Sequence, residues 1–281
     1  MSPELLKIKE KDLLFVDIET ASQTSEFDEN HPQFNSFQWK HRDKQTDELL
    51  PTSEVIKLYN RIAALSPVYG QIVCITVGYI ADEKANIMTF SGDEFQIIKD
   101  FYEMVNNLGR TLVLWNADFD LPYIRKRAVI LGVPVILRND CGNDTDKKPW
   151  SIKGVLDLMQ VWKGISYYND SLEEVSAVLG LPSPKEDLRG SEVSKAFHGG
   201  RIADIISYCE RDVVSTLNIF RKFTLQPVID EIIVKEYKPQ KPLPLLERIK
   251  NKGVIDDEDR KILDNFKGDK NKLDNILNSV L

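Results

Sequence analysis

Ten residues near the N-terminus, LLFVDIETAS from Leu13 to Ser22, constrain the fold more than any other stretch of this chain. The run reads as a β-strand, yet it carries two carboxylates one residue apart, Asp17 and Glu19. Side chains at i and i+2 of a strand point to the same face. Two like charges so placed repel each other and are costly to desolvate, so a positive group is expected between or beside them. Other parts of the chain have to supply what that strand lacks.

Those parts follow in a definite order. The polar segment 23–54 shows no sustained period. QIVCITVGYIA (Gln71 to Ala81) and ANIMTF (Ala85 to Phe90) then read as two strands that complete an antiparallel meander. Phe95, Ile98, Phe101, Tyr102 and Val105 recur at helical spacing until Gly109, which is placed to stop that helix. The buried-strand pattern TLVLWN leads directly into DFDLPYIRKRAVILG, where Pro122 suits a first helical turn and Gly132 a C-terminal cap. Ser171 and Glu174 form a capping-box signature before a helix that ends at Gly180, and Arg201 to Phe223 reads as one long amphipathic helix. Strand-then-helix order predicts an α/β fold. Beyond it, KEYKPQKPLPLL is a proline-punctuated linker, and the final stretch carries an apolar repeat at Leu273, Ile276, Leu277 and Val280. The expected division is one main domain over 1–225, then a linker and helical C-terminal extension over 226–281.

Bulk properties narrow the function. At 281 residues and 42% hydrophobic content the chain is large enough for a real core. A net charge of −7 argues against coating duplex nucleic acid through a broad basic surface, though not against handling a single chain end. The tail from Leu245 onward has eight acidic and eight basic residues, so it is no basic arm. Cys74, Cys141 and Cys209 are odd in number and widely spaced, which indicates neither a disulfide framework nor a zinc site. With a charged N-terminus and no apolar run near the roughly 20 residues needed to span a bilayer, a cytoplasmic protein without membrane contact is expected.

Further acids stand where a site would be built. Asp120, in WNADFD, falls at the end of a strand, the usual place for ligand-binding groups in an α/β sheet. Tyr208 and Asp212, in YCERD, are four apart and share one helix face. Hard divalent cations such as Mg²⁺ take oxygen ligands of this kind, and a pair of them suits phosphodiester cleavage. Taken singly, each piece is ordinary: an Asp-x-Glu at a strand edge, an N-cap aspartate, a solvated helix face.

Taken in order, DIET, NADFD and YCERD resemble the three motifs of the DEDD superfamily of 3′ to 5′ exonucleases, in the tyrosine version, because Ser207 occupies the position a histidine would hold. With YGQIVCITVGY, VLDLMQVW, SLEEVSAVLGLP and ISYCERDVVSTLNIF, the closer resemblance is to the predicted bacterial exonucleases related to the proofreading domain of family B DNA polymerases, over roughly residues 10–223. The resemblance implies an RNase H-like mixed central sheet flanked by helices, and two divalent cations, Mg²⁺ or Mn²⁺. It implies that Asp17, Glu19 and Asp212 hold the ion that activates water. Asp17 would also touch the second ion, and Asp120 would hold that ion directly or through water. Tyr208 would orient the attacking water, since a phenol is mostly protonated at neutral pH. Thr20, Asn116 and Phe119 are the candidate substrate-binding residues, Phe119 by stacking on a terminal base or, as an even alternative, by packing in the core. The expected substrate is a single-stranded DNA 3′ end, with RNA ends or a non-catalytic nucleic-acid-binding scaffold as the alternatives. The C-terminal extension is either a docking segment for a replication or repair protein or a cover for the domain.

Four other features have simpler readings. Asp157 is expected to cap the helix that follows it, with a cleft-side role as the alternative. His31, His41 and His198 match no ligand spacing and are expected at the surface. Phe34 to Lys44 interleaves aromatic and basic residues as a single-strand binding surface does, but packing of an insertion by Phe34, Phe37 and Trp39 is slightly favoured. Arg125 to Arg127, Lys185 and Arg189 are candidate phosphate guides.

Overall fold

The computed structural model describes residues 5–134, 154–183 and 188–238. Its strands are β1 (Leu13–Ser22), β2 (Gly70–Ala81), β3 (Lys84–Ser91), β4 (Thr111–Leu114), β5 (Val155–Asp157) and β6 (Ile232–Lys235), in the spatial order β5-β4-β1-β2-β3-β6. β1, β2 and β3 form the antiparallel meander, while β4 joins β1, β5 joins β4 and β6 joins β3 in parallel. This is the mixed α/β sheet that the resemblance implied. The apolar pattern of β1 serves both faces. Leu13 and Phe15 enter one core and Leu14, Val16 and Ile18 the other.

Helices cover the two faces. On one side lie α3 (Glu94–Leu108) and α4 (Ala117–Leu131), each ended by a glycine in the left-handed region, Gly109 and Gly132, as their spacing predicts. On the other lies α8 (Ile202–Phe223), with Phe220 edge-on to Phe15 at 5.8 Å. Gly78 allows that approach: a Cβ there would stand 2.7 Å from Val213 Cγ1 and 2.8 Å from Ile87 Cδ1. α5 (Leu158–Lys163), α6 (Leu172–Val178) and α7 (Val193–His198) complete this layer, α6 behind the expected Ser171–Glu174 capping box.

The polar segment after β1 is more ordered than its composition suggests. It contains α1 (Phe34–Lys40) and leads into α2 (Thr52–Ile62), and their Phe34, Phe37, Val55 and Tyr59 form a separate cluster with Phe27 and Tyr69. Phe34 and Phe37 pack as the favoured reading expected. Trp39 does not; it is exposed and carries the Arg42 guanidinium on its ring at 4.2 Å.

The chain also stays with the domain after residue 225. Ile229 enters the core, its amide and carbonyl both bonded to Asn218, and β6 extends the sheet. Residues 239–281, with most of the expected linker and the helical extension, and Lys185 lie outside the described residues.

Candidate active site

The acids meet at one end of the sheet for reasons visible in the register. Phe15 of β1 pairs with Val113, and β4 stops at Leu114, so Asp17 falls just beyond the end of β4. There the chain turns over the sheet edge into α4. Asn116 is the N-cap residue of that helix, without a side-chain cap bond, and Asp120 is buried within its first turn rather than at the strand end or the cap. The odd-numbered face of β1 looks toward α8, which places Asp17 and Glu19 under Tyr208 and Asp212, all but Asp17 being buried. Asp17 lies deep among protein atoms but keeps a partial opening to solvent. At Glu19 the pairing with β2 slips: Glu19 faces Cys74 and Thr20 faces Ile72, leaving Val73 as an extra residue.

Between Tyr208 and Asp212 lies a group the motif reading passed over. The Cys209 thiol donates to Asp17 Oδ2 at 3.3 Å, and ligand atoms of Asp17, Glu19 and Cys209 lie within 4.8 Å of one another. The signal was in YCERD, but a contact spanning 192 residues has no local signature.

Electrostatically the four acids behave as one cluster. Burial, then the charge of Asp120, holds the Asp17 carboxyl well above the usual range, against a lowering by Cys209. Burial and then Asp17, Asp212, Cys74 and Asp120 do the same to Glu19. Asp120 is raised by burial and by Asp157 and Asp212. The Tyr208 phenol is pushed up by burial and by Asp212, Glu19 and Asp17, so its hydroxyl stays protonated. Asp212 keeps interactions of its own, while its Oδ1 is buried with no hydrogen bond. A set of oxygen donors whose charged forms are disfavoured by burial and by mutual repulsion fits hard divalent cations, which would relieve that repulsion.

The remaining residues divide between site and scaffold. Thr20 is buried beyond the slip, close to the Tyr123 hydroxyl. Asn116 and Phe119 are half-buried, Phe119 with its ring 5.5 Å from that of Tyr123. Asp157 caps α5 through the Gln160 amide at 3.0 Å and also accepts from the Ala117 amide at 2.9 Å, joining the starts of α5 and α4; burial pushes its carboxyl up to about 6. His198 is exposed at the surface and within 3.1 Å of the Ser22 carbonyl. His31 and His41 are instead half-buried against the rings of Phe27 and Phe37. Arg127 is no phosphate guide: its guanidinium is buried on Glu94 and the Pro67 carbonyl.

Comparison with known proteins places the chain in a family. A family model described as a predicted 3′-5′ exonuclease related to the exonuclease domain of PolB matches residues 58–241. That span holds Asp120, Tyr208 and Asp212, and β1 with its two acids precedes it. A DNA polymerase of Archaeoglobus fulgidus is 27% identical over 163 residues, covering 56% of this chain and 20% of the polymerase. One of Pyrococcus horikoshii is 27% identical over 177 residues, covering 55% of this chain and 14% of the polymerase. The chain thus spans a fifth or less of the length of these relatives. Among the described residues no helix is long and apolar enough to cross a membrane.

Proposed function

The chain belongs to the family of predicted 3′-5′ exonucleases related to the exonuclease domain of PolB, and on that premise we propose that it is a metal-dependent 3′ to 5′ exonuclease acting on single-stranded DNA ends. The observation that carries this reading is the convergence of Asp17 and Glu19 from β1, Asp120 from α4, and Tyr208 and Asp212 from α8 at one end of the sheet. In this reading Asp17, Glu19, Asp120 and Asp212 hold two divalent cations, Mg²⁺ or Mn²⁺. Bound there, such ions supply an activated water and charge stabilisation of the leaving oxygen.

The chain's own groups have separate tasks. Tyr208, kept protonated by the negative charge around it, donates a hydrogen bond that orients the attacking water and does not abstract its proton. Cys209 holds the Asp17 carboxylate by its thiol. Asp157, bonded to the Ala117 amide, fixes the first turn of α4 and with it the position of Asp120.

The test is a digestion of 5′-labelled single-stranded DNA and RNA with Mg²⁺, Mn²⁺ or EDTA. Progressive shortening of DNA from the 3′ end that stops with EDTA is expected, and robust cleavage in chelator would sink the proposal. Digestion of RNA in preference to DNA would replace the substrate while keeping the chemistry. Tyr208→Phe keeps the ring and should lower single-turnover rate by roughly 10²-fold, with metal affinity little changed.

A further inference from the structure

At the start of α4, the helix that carries Asp120, lies an open cleft of about 510 Å³. Trp115, Asn116, Met159 and Gln160 line it from the sheet side, and Asn169 and Asp170 from the loop between α5 and α6. Asn116 opens the helical turn that carries Asp120, and Asp157 ties that turn to α5, so the cleft borders the turn that holds one of the acids.

The loop on its rim has an unusual composition for an exposed turn. Ile165 is 103% exposed, Tyr167 97% and Tyr168 82%. The turn is nonetheless anchored: Trp162 stacks on Phe223 at an interplanar angle of 3°, its indole nitrogen donates to Asp170 Oδ2 at 2.7 Å, and the Ser166 amide bonds the Lys163 carbonyl. Anchored ends with rings turned to solvent are the arrangement of a stacking platform, which binds bases without reading their sequence. The walls also carry the carboxylates of Asp118, Asp170 and Glu174, which repel phosphate. Bases rather than backbone should therefore face the cleft.

We propose that this cleft and the Tyr167–Tyr168 rim receive the unpaired nucleotides that precede the 3′ terminus, with the two rings stacking on successive bases while the terminus lies at the acids. The inference rests on the exonuclease reading and adds to it the residues that stack on the bases ahead of the terminus. Enzyme action on a dinucleotide should lack this contribution, and action on a longer strand should gain it.

The experiment measures KM for thymidylate di-, tetra- and octanucleotides with Mn²⁺, using the full chain. In the parent, KM should fall by about tenfold or more from the shortest to the longest substrate, the size expected of base–aromatic stacking. In a Tyr167→Ala/Tyr168→Ala variant most of that fall should vanish, and Tyr167→Phe/Tyr168→Phe should retain it. An alanine variant that keeps the parent's length dependence, or a parent that shows none, overturns the platform and leaves the exonuclease reading standing. A parent that cleaves no oligonucleotide at all overturns the exonuclease reading and the platform with it.

Discussion

Asp17, Glu19 and Asp120 each ionise at a cost that burial and like charge impose on the folded chain. A carboxyl whose folded pKa is raised favours folding below its unfolded pKa and loses that contribution as pH climbs through the folded value. In EDTA the melting temperature is therefore expected to fall as pH rises from about 5 to 8, with Asp157 contributing near pH 6. Mn²⁺ should flatten that fall, because it binds only the folded site. Asp17→Asn deletes one charge while leaving an oxygen for the Cys209 thiol. The variant should melt no lower than the parent in EDTA at neutral pH, gain much less from Mn²⁺, and lose activity by something on the order of 10³-fold. If it melts well below the parent without metal yet cuts DNA like it, Asp17 is a structural acid and the site is wrong.

Among the elements, α3 and α4 are held together by one buried ion pair. Glu94, the first residue of α3, accepts from Arg127 at 2.6 and 2.8 Å and from the Ile72 amide at 2.7 Å, so a single carboxylate joins α3, α4 and β2. The side chains are 12% and 5% exposed. Removing one member of such a pair leaves the other buried and uncompensated, and Arg127→Ala should cost roughly 3–5 kcal/mol in denaturant unfolding. Affinity for a single-stranded oligonucleotide should be unchanged at temperatures where the variant is folded. Weaker DNA binding with full stability would return Arg127 to the path of the phosphates.

For the whole molecule, the return of the chain after α8 closes the sheet edge. β6 covers β3, Arg221 joins Glu10, Glu83 and the Pro227 carbonyl, and Tyr237 stacks edge-on to Phe90 while its hydroxyl bonds Asp100. A chain ending at Leu225 loses the burial of Ile229 and leaves the Asn218 amide without its partners. It should be less stable than one ending at Lys238 by roughly 3–6 kcal/mol. Equal denaturant midpoints for the two would return the domain boundary to residue 225.

Much of this was legible along the chain because the physics is local. The shared face of Asp17 and Glu19 follows from strand geometry, that of Tyr208 and Asp212 from a helical turn, and the stops at Gly109 and Gly132 from left-handed backbone. What waited on tertiary structure depends on partners far away in sequence. β5 and β6 are three and four residues long, too short for a period, and exist by pairing with β4 and β3. α1 lies in a polar segment and α2 starts at its end, yet both close on an aromatic cluster completed by Tyr69. A basic residue's identity does not say which way it faces, so Arg127 looked like a phosphate guide until packing placed it on Glu94. Local sterics and periodicity settled the long strands and helices and which of their residues share a face; only the closing of the sheet decided that β1, α4 and α8 would bring their acids to one place, because charge convergence is a property of long-range packing.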